Sequence, residues 1–201
     1  MDKVLIKLEK KQQIFFTSDL HFGHRNVLKF CNRPFENTKE MEKSLIYNWN
    51  SVVNDNDVVF VLGDIMWFDS RTDAKRVLEQ LHGKEIHIVP GNHDNLNNFE
   101  YLSDRFIIHD SCVTLWVETF NGNNQVFLCH FPLATWPHYE QNALHFFGHI
   151  HSGPVSGAEI DVVGKDLVIK DGLCYDVGVD NNNYTPIEIR DIYKKLNKNW
   201  K

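Results

Sequence analysis

The segment IFFTSDLHFGH, residues 14–24, joins an apolar run directly to a group of polar residues. The run IFFTS has the length and apolar character of a buried β-strand. Asp19 and His21 follow it at once, and His24 lies three residues further on. Ligands of open α/β sheets gather at the carboxyl ends of the strands, so these side chains are candidates for a functional site.

Four further predicted strands end in the same way. The residues that follow them are Asp64 after VVFVL, Asn92, His93 and Asp94 after EIHIVP, His130 after QVFL, and His149 and His151 after LHFF. Gly23 and Gly148 lie near two of these strand ends, and glycine permits the backbone to turn there. We therefore expect the backbone to bend after two of the strands, so that Asp19 can join His21, and His149 can join His151, in one site.

The segments between the strands predict helical crossovers. NTKEMEKSLIYNWNSVV carries apolar residues at helical spacing, with Thr38 as a plausible N-cap. SRTDAKRVLEQLHG predicts a second helix, capped by Ser70 and ended by Gly83. Strands that alternate with helices in this way favour parallel pairing.

The second half of the chain has a different pattern. FIIHDSCVTLWVETF and QVFLCH flank NGNN, which predicts a β-hairpin. DLVIK and CYDVGVD are further strand-like pieces, and TPIEIRDIYKKL predicts a closing helix with Pro186 near its start. The sequence thus predicts one α/β domain over residues 1–201, with a mixed sheet or two stacked sheets and helices outside.

Bulk properties exclude some classes of function. The chain has 201 residues and a formal net charge of -6, which argues against a general binder of nucleic acids or acidic membranes. The apolar segment in the first residues, MDKVLIKLEKKQQ, is too short and too often interrupted for a signal peptide. No later apolar run reaches membrane-spanning length. We expect a cytoplasmic protein with no membrane partner.

The donor set at the strand ends indicates a metal site. Carboxylate, imidazole and amide oxygen suit divalent ions such as Mn²⁺, Fe²⁺ or Zn²⁺, and the absence of cysteine from the set disfavours a structural zinc site. The candidate ligands are too many for one four-coordinate ion but fit two ions that share a carboxylate. We expect Mn²⁺, with Fe²⁺, Zn²⁺ or Ni²⁺ as alternatives.

The ordered set D-L-H, G-D, G-N-H-D, H and G-H-I-H resembles the calcineurin-like metallophosphoesterase superfamily. The stretches SDLHFGHRNVLKFCNRPF and YDVGVDNNNYTPIEI also resemble a small bacterial and phage branch of predicted phosphoesterases. The resemblance implies a two-sheet β-sandwich flanked by helices, in four layers of the order αββα.

The resemblance also implies a role for each residue of the set. Asp19, His21 and His151 would hold one metal ion. Asn92, His130 and His149 would hold a second ion, and Asp64 would bridge the two. A hydroxide between the ions would attack phosphorus. His93 would protonate the leaving oxygen, oriented by Asp94, which contributes about 10²–10⁴-fold in rate.

The substrate is less constrained by the sequence. We expect a small phosphate ester, foremost a phosphodiester or nucleotide, with His24 and Arg25 near the substrate. We expect Arg33 to be exposed to solvent and Trp67 to serve in packing, with stacking on a base as the alternative role of Trp67. A catalytically idle metal-binding scaffold and a nuclease remain alternatives, although long nucleic acid is disfavoured by the net charge. The oligomeric state is open.

Overall fold

The computed structural model describes residues 1–68, 70–99, 101–119, 122–152 and 172–201. Within these ranges the chain forms two five-stranded sheets. The first sheet contains, in spatial order, β1 (Asp2–Lys7), β6 (Cys112–Thr119), β7 (Gly122–Cys129), β8 (Leu144–Phe147) and β9 (Cys174–Asp176). The second contains β10 (Ile187–Glu188), β2 (Ile14–Thr17), β3 (Val58–Val61), β4 (Glu85–Ile88) and β5 (Phe106–Ile108).

The helices of the described residues are α1 (Val27–Phe30), α2 (Thr38–Val52), α3 (Arg71–Leu78) and α4 (Ile189–Lys195). The predicted fold class, two sheets flanked by helices, is confirmed. In the part of the chain that the structure describes, no helix is both long enough and apolar enough to cross a membrane.

Parallel pairing brings the carboxyl ends of the central strands to one edge. In the second sheet β2, β3, β4 and β5 are parallel neighbours, with α2 and α3 as the crossovers between the first three. In the first sheet β7, β8 and β9 are also parallel. The polar residues that follow these strands therefore collect at the same end of each sheet.

Apolar residues fill the space between the sheets and the space under the helices. Phe16 of β2 stacks on Phe60 of β3 at 5.5 Å between ring centroids and meets the edge of Phe146 from the other sheet at 4.9 Å. On the other face of the second sheet, Trp49 of α2 is fully buried. Because both faces are covered, β2 and β3 are buried along their whole length, which is why they are continuous apolar runs in the sequence.

The helix boundaries differ from the predictions in ways that have local causes. Asn37, not Thr38, caps α2, because its side-chain oxygen accepts the N–H groups of Lys39 and Glu40, each at 3.0 Å. Ser70 caps α3 as predicted, through a bond of 3.3 Å from the N–H of Asp73. However, α3 ends at Leu78, before Gly83.

The β-strands also add to what the sequence predicted. The hairpin is confirmed, with β6 and β7 antiparallel and Thr119 opposite Gly122. The closing helix begins only at Ile189, since Ile187 and Glu188 pair with β2. The N-terminal strand β1, which was not predicted, pairs in parallel with β6. The predicted strand DLVIK, residues 166–170, lies outside the described residues.

Candidate metal centre

The backbone bends sharply at the strand ends, as the candidate site requires. Five of the candidate ligands have left-handed backbone, with φ of 58° at Asp19, 50° at His21, 53° at Asp64, 72° at His149 and 49° at His151. Non-glycine residues rarely adopt this conformation, although Asp and His are enriched among those that do. The bends turn both members of each D-x-H or H-x-H pair toward a common centre.

Asp19, His21 and His151 form a first group of potential ligands. The Nε2 atoms of His21 and His151 are 3.3 Å apart, and Nε2 of His151 is 3.7 Å from Oδ1 of Asp19. One ligand atom from each of the three residues lies within 4.8 Å of the others. Asp19 and His21 are buried, which excludes most water from this group.

Asp64, His130 and His149 form a second group with the same spacing limit of 4.8 Å. Nε2 of His130 lies 3.2 Å from Nδ1 of His149 and 3.1 Å from Oδ1 of Asn92. The amide oxygen of Asn92 therefore lies beside this group. The two groups are also linked, because the N–H of His149 donates to the Asp19 carboxylate at 3.0 Å.

Asp64 belongs to the second group and also faces the first. Its Oδ1 accepts the backbone N–H of His93 at 2.9 Å, which fixes the carboxylate. Its Oδ2 is 3.6 Å from Nε2 of His21 and 3.5 Å from Nε2 of His130. One oxygen of Asp64 therefore faces a histidine of each group.

Hydrogen-bond acceptors meet around Nε2 of His130. Nδ1 of His130 lies 2.7 Å from the carbonyl oxygen of Leu62, so this nitrogen carries the proton and Nε2 presents a lone pair. That lone pair faces the oxygens of Asn92 and Asp64. Acceptors that face each other without a donor are satisfied by a proton or a cation, and imidazole, carboxylate and amide oxygen suit a divalent metal.

The surroundings of His21 and Asp64 shift the pKa of each side chain toward the form that binds metal. Burial lowers the pKa of His21 to about 2, which keeps its imidazole neutral. Burial opposes ionisation of Asp64, but hydrogen bonding to His130 and to the backbone of His93 lowers the pKa of Asp64 to about 2. A neutral imidazole and an ionised carboxylate are the forms that bind metal.

Two glycines permit the close approach of the chain segments. A Cβ atom at Gly91 would collide with Oδ1 of Asp64. The backbone N–H of Gly91 also donates to Asp94 at 2.9 Å. A Cβ atom at Gly148 would collide with the Ser18 side chain and come within 2.5 Å of Oδ2 of Asp19. Gly91, which precedes Asn92, and Gly148, which precedes His149, are therefore steric requirements of the site.

A comparison with protein families agrees with this geometry. The model of the family described as calcineurin-like phosphoesterase matches residues 13–180, which include every residue of both groups. The chain belongs to the calcineurin-like phosphoesterase family. Members of this family generally bind two divalent metal ions, and this member carries two His/Asp groups suited to them.

Individual relatives are similar to this chain over parts of its length. An uncharacterized protein of Methanocaldococcus jannaschii is 43% identical over 111 residues, which cover 52% of this chain and 63% of that protein, less than two thirds of its length. The gene 66 protein of Mycobacterium phage L5 is 27% identical over 166 residues, covering 69% of this chain and 77% of that protein.

A solved structure has the same fold. The crystal structure of a protein of unknown function from Aquifex aeolicus superposes with a TM-score of 0.67 at 24% identity, covering 92% of this chain and all of that chain.

His93 lies partly exposed beside Asp64, whereas Asp94 is bonded to the backbone. Nε2 of His93 is 3.9 Å from Oδ2 of Asp64, and the ring is partly exposed at the mouth of the site. Asp94 instead accepts three backbone N–H groups, from Asp64 at 2.8 Å, Ile65 at 2.9 Å and Gly91 at 2.9 Å. Its carboxylate holds the backbone of Asp64 and Ile65, and the role of orienting the His93 ring stays a prediction.

The rim of the site contains His24 and an exposed aromatic ring. His24 lies 3.3 Å from His21 between Nδ1 atoms and stacks on Trp67, with centroids 4.6 Å apart and planes 14° apart. Trp67 is 49% exposed and also lies 5.0 Å from the His93 ring, so it is not the packing residue that we expected. Arg25 is exposed to solvent nearby in the sequence.

Sequence reasoning misplaced Arg33 and missed Asp180. Arg33 is only 4% exposed and forms an ion pair with the carboxylate of Asp180, with bonds of 2.9 Å from Nε and 2.8 Å from Nη2. The expectation that Arg33 is solvent-exposed is therefore wrong. Asp180 stands in the stretch YDVGVDNNNY, where only resemblance, and no ligand spacing, drew attention to it.

Proposed function

We propose that this protein is a two-metal phosphoesterase that hydrolyses small phosphodiesters, with nucleotides as the main substrate class. The observation that carries the proposal is the position of Asp64, whose Oδ2 faces His21 at 3.6 Å and His130 at 3.5 Å. A carboxylate oxygen shared by two ligand groups is what two neighbouring cations require. Asp19, His21 and His151 would hold one ion, and Asn92, His130 and His149 the other.

The two ions, when bound, lower the pKa of an attacking water and neutralise the charge on the phosphoryl oxygens. The protein supplies the proton for the leaving group. His93 fits this role because its ring lies beside Asp64 at the mouth of the site without belonging to either ligand group. A general acid of this kind contributes about 10²–10⁴-fold to the rate.

The charges near the site favour a diester over a monoester. A monoester dianion needs additional cationic contacts, but Arg33 is buried and already paired with Asp180. Arg25 is the arginine of this segment that remains exposed. A diester carries one negative charge, which two metal ions and a neutral donor can match. His24 suits that donor because burial and the neighbouring His93 lower its pKa.

The rim favours a substrate with a planar group. Trp67 offers a half-exposed ring whose other face is supported by His24 in a stacked arrangement. Stacking of a nucleobase on such an aromatic contributes about 1–3 kcal/mol per base. This arrangement supports a nucleotide, whereas the net charge of -6 disfavours a long polyanionic nucleic acid.

The test is a comparison of aryl phosphate esters with one leaving group. The protein is loaded with Mn²⁺, and kcat/KM is measured for the aryl phosphodiester, the aryl phosphomonoester and a 2′,3′-cyclic nucleotide. We expect the diesters to be preferred. A monoester preference that persists with Mn²⁺, Ni²⁺ and Zn²⁺ would reject the diester assignment.

An Asp64→Asn variant separates the enzyme from an idle scaffold. It keeps the size of the bridging side chain but removes its charge, so both metal occupancy and turnover should fall together. Glu118→Gln, a partly exposed acidic residue on β6, is the control and should leave both unchanged. Wild-type protein that binds two equivalents of Mn²⁺ yet hydrolyses none of the esters would favour the scaffold.

A further inference from the structure

A buried ion pair lies directly behind the first ligand group. The side chains of Arg33 and Asp180 are 0% and 1% exposed, and Nη2 of Arg33 is 2.8 Å from Oδ2 of Asp180. A buried ion pair is weak evidence for stability, because removing two charges from water offsets much of their attraction. The position of the Arg33–Asp180 pair therefore needs an explanation other than stability. The remaining hydrogen bonds of the two side chains provide that explanation.

The guanidinium of Arg33 holds the chain that carries Asp19. Nη2 donates to the carbonyl oxygen of Asp19 at 2.6 Å, and Nη1 donates to the carbonyl oxygen of Leu20 at 3.1 Å. Asp19 has left-handed backbone, with φ of 58°. A conformation of this kind persists only when its surroundings hold it. Arg33 thus fixes the bend that turns Asp19 toward the site.

Asp180 holds the ring of His151. Its Oδ2 lies 2.8 Å from Nδ1 of His151, while Nε2 of the same ring faces His21 at 3.3 Å. A proton on Nδ1 donated to the carboxylate leaves the lone pair of Nε2 directed at the ligand group. Carboxylates that bind the outer nitrogen of a ligating histidine fix its tautomer and orientation.

We propose that Arg33 and Asp180 are positioning residues that set the affinity of the first group for its metal ion. They leave the affinity of the second group largely unaffected. The contacts described above reach Asp19 and His151, which both belong to the first group. The second group has a separate support, because Nδ1 of His130 bonds to the carbonyl of Leu62 at 2.7 Å. The inference rests on the proposed binding of two metal ions.

Asp180 is not itself assigned as a metal ligand. Cys31, His151 and Asp180 lie close enough for one atom of each to be within 4.8 Å of the others. However, Oδ1 of Asp180 is bonded to Nε of Arg33 at 2.9 Å, and Oδ2 is shared by Nη2 of Arg33 and His151. A guanidinium this close would repel a cation placed among these three residues.

The experiment measures the binding of Mn²⁺ alone, by equilibrium dialysis of the full chain. Wild type should bind two ions. Asp180→Asn should weaken one of them by about 10–100-fold, which is typical for loss of a carboxylate behind a metal-binding histidine. The double variant Arg33→Gln/Asp180→Asn leaves no unpaired buried charge and should show the same selective loss. His151→Ala identifies which isotherm belongs to the first group.

The control is another buried carboxylate with only structural contacts. Asp57 is 1% exposed and accepts the backbone N–H groups of Gln13 at 2.9 Å and Asn54 at 2.8 Å. Asp57→Asn should lower the thermal unfolding temperature but keep both Mn²⁺ affinities.

The outcomes separate the two proposals. Wild type that binds fewer than two ions would overturn the proposed function itself. Wild type that binds two ions, with Asp180→Asn and the double variant retaining both affinities or losing both equally, would overturn the positioning role while the proposed function stands. Wild type could also bind a third equivalent of Mn²⁺ that Asp180→Asn abolishes. This result would overturn the positioning role, because Asp180 would then be a metal ligand.

Discussion

His145 of β8 is a buried histidine outside both ligand groups, and it should make the stability of the protein depend on pH. The residue is 0% exposed, and the rings of Phe127, Trp136 and Phe147 lie around it at centroid distances of 5.1–5.6 Å. Nδ1 lies 3.2 Å from the carbonyl oxygen of Phe127, and Nε2 accepts the backbone N–H of Leu133 at 3.2 Å. The neutral ring satisfies both bonds, whereas a second proton would point at an N–H donor.

The magnitude follows from the difference between the folded and unfolded states. Burial lowers the pKa of His145 from 6.5 to about 4. The folded state therefore binds fewer protons than the unfolded state between these values, and the stability that is present above pH 6.5 is lost as the pH falls toward 4. At about 1.4 kcal/mol per pH unit, lowering the pH from 6.5 to 5 should remove about 2 kcal/mol.

The assay is urea unfolding of the metal-free protein at a series of pH values, compared with His145→Gln. A glutamine amide can donate and accept in the same places but does not titrate. The variant should lose a constant amount of stability above pH 6.5, and its difference from wild type should shrink by about 2 kcal/mol at pH 5. His82→Gln, which removes an exposed histidine, is the control. A difference between wild type and His145→Gln that is the same at pH 7.5 and pH 5 would refute the reasoning.

Three further predictions concern the site. His93→Ala should reduce turnover by about 10²–10⁴-fold while both Mn²⁺ ions stay bound, and the loss should be smaller for esters with acidic leaving groups; equal losses would argue against a general acid. Gly148→Ala places a Cβ atom against Ser18 and Asp19, so Mn²⁺ binding at the first group should fall in dialysis, and unchanged binding would contradict the packing. Trp67→Ala should raise KM for a nucleotide more than for an alkyl phosphodiester, and equal changes would exclude stacking as its role.

The sequence predicted the positions of the candidate ligands because buried strands are recognisable as apolar runs. IFFT, VVFV and LHFF are buried on both faces, and the polar residue that ends each run therefore stands out. Parallel pairing then brings these ends together without further information. The left-handed backbone at Asp19 and His149 does not follow from the D-x-H and H-x-H spacings, because side chains two residues apart lie on the same face of an extended chain.

The contacts made by residues far apart in the sequence could not be predicted in this way. Arg33 and Asp180 are separated by 147 positions, and no periodicity connects them. An arginine in a loop next to a ligand motif is ordinarily exposed, and only the tertiary structure shows that it is enclosed by Asp180 and two backbone carbonyls. The boundary of α2 was missed for a local reason, since Asn37 and Thr38 are both good N-caps.

The same features that form the site also work against the metal-free fold. The five left-handed residues carry backbone strain of about 1–3 kcal/mol each. Cations bound at the two groups would offset this strain, because they bind only the folded state. The buried pair of Arg33 and Asp180 is then understandable as a support that keeps Asp19 and His151 in place before a metal ion arrives.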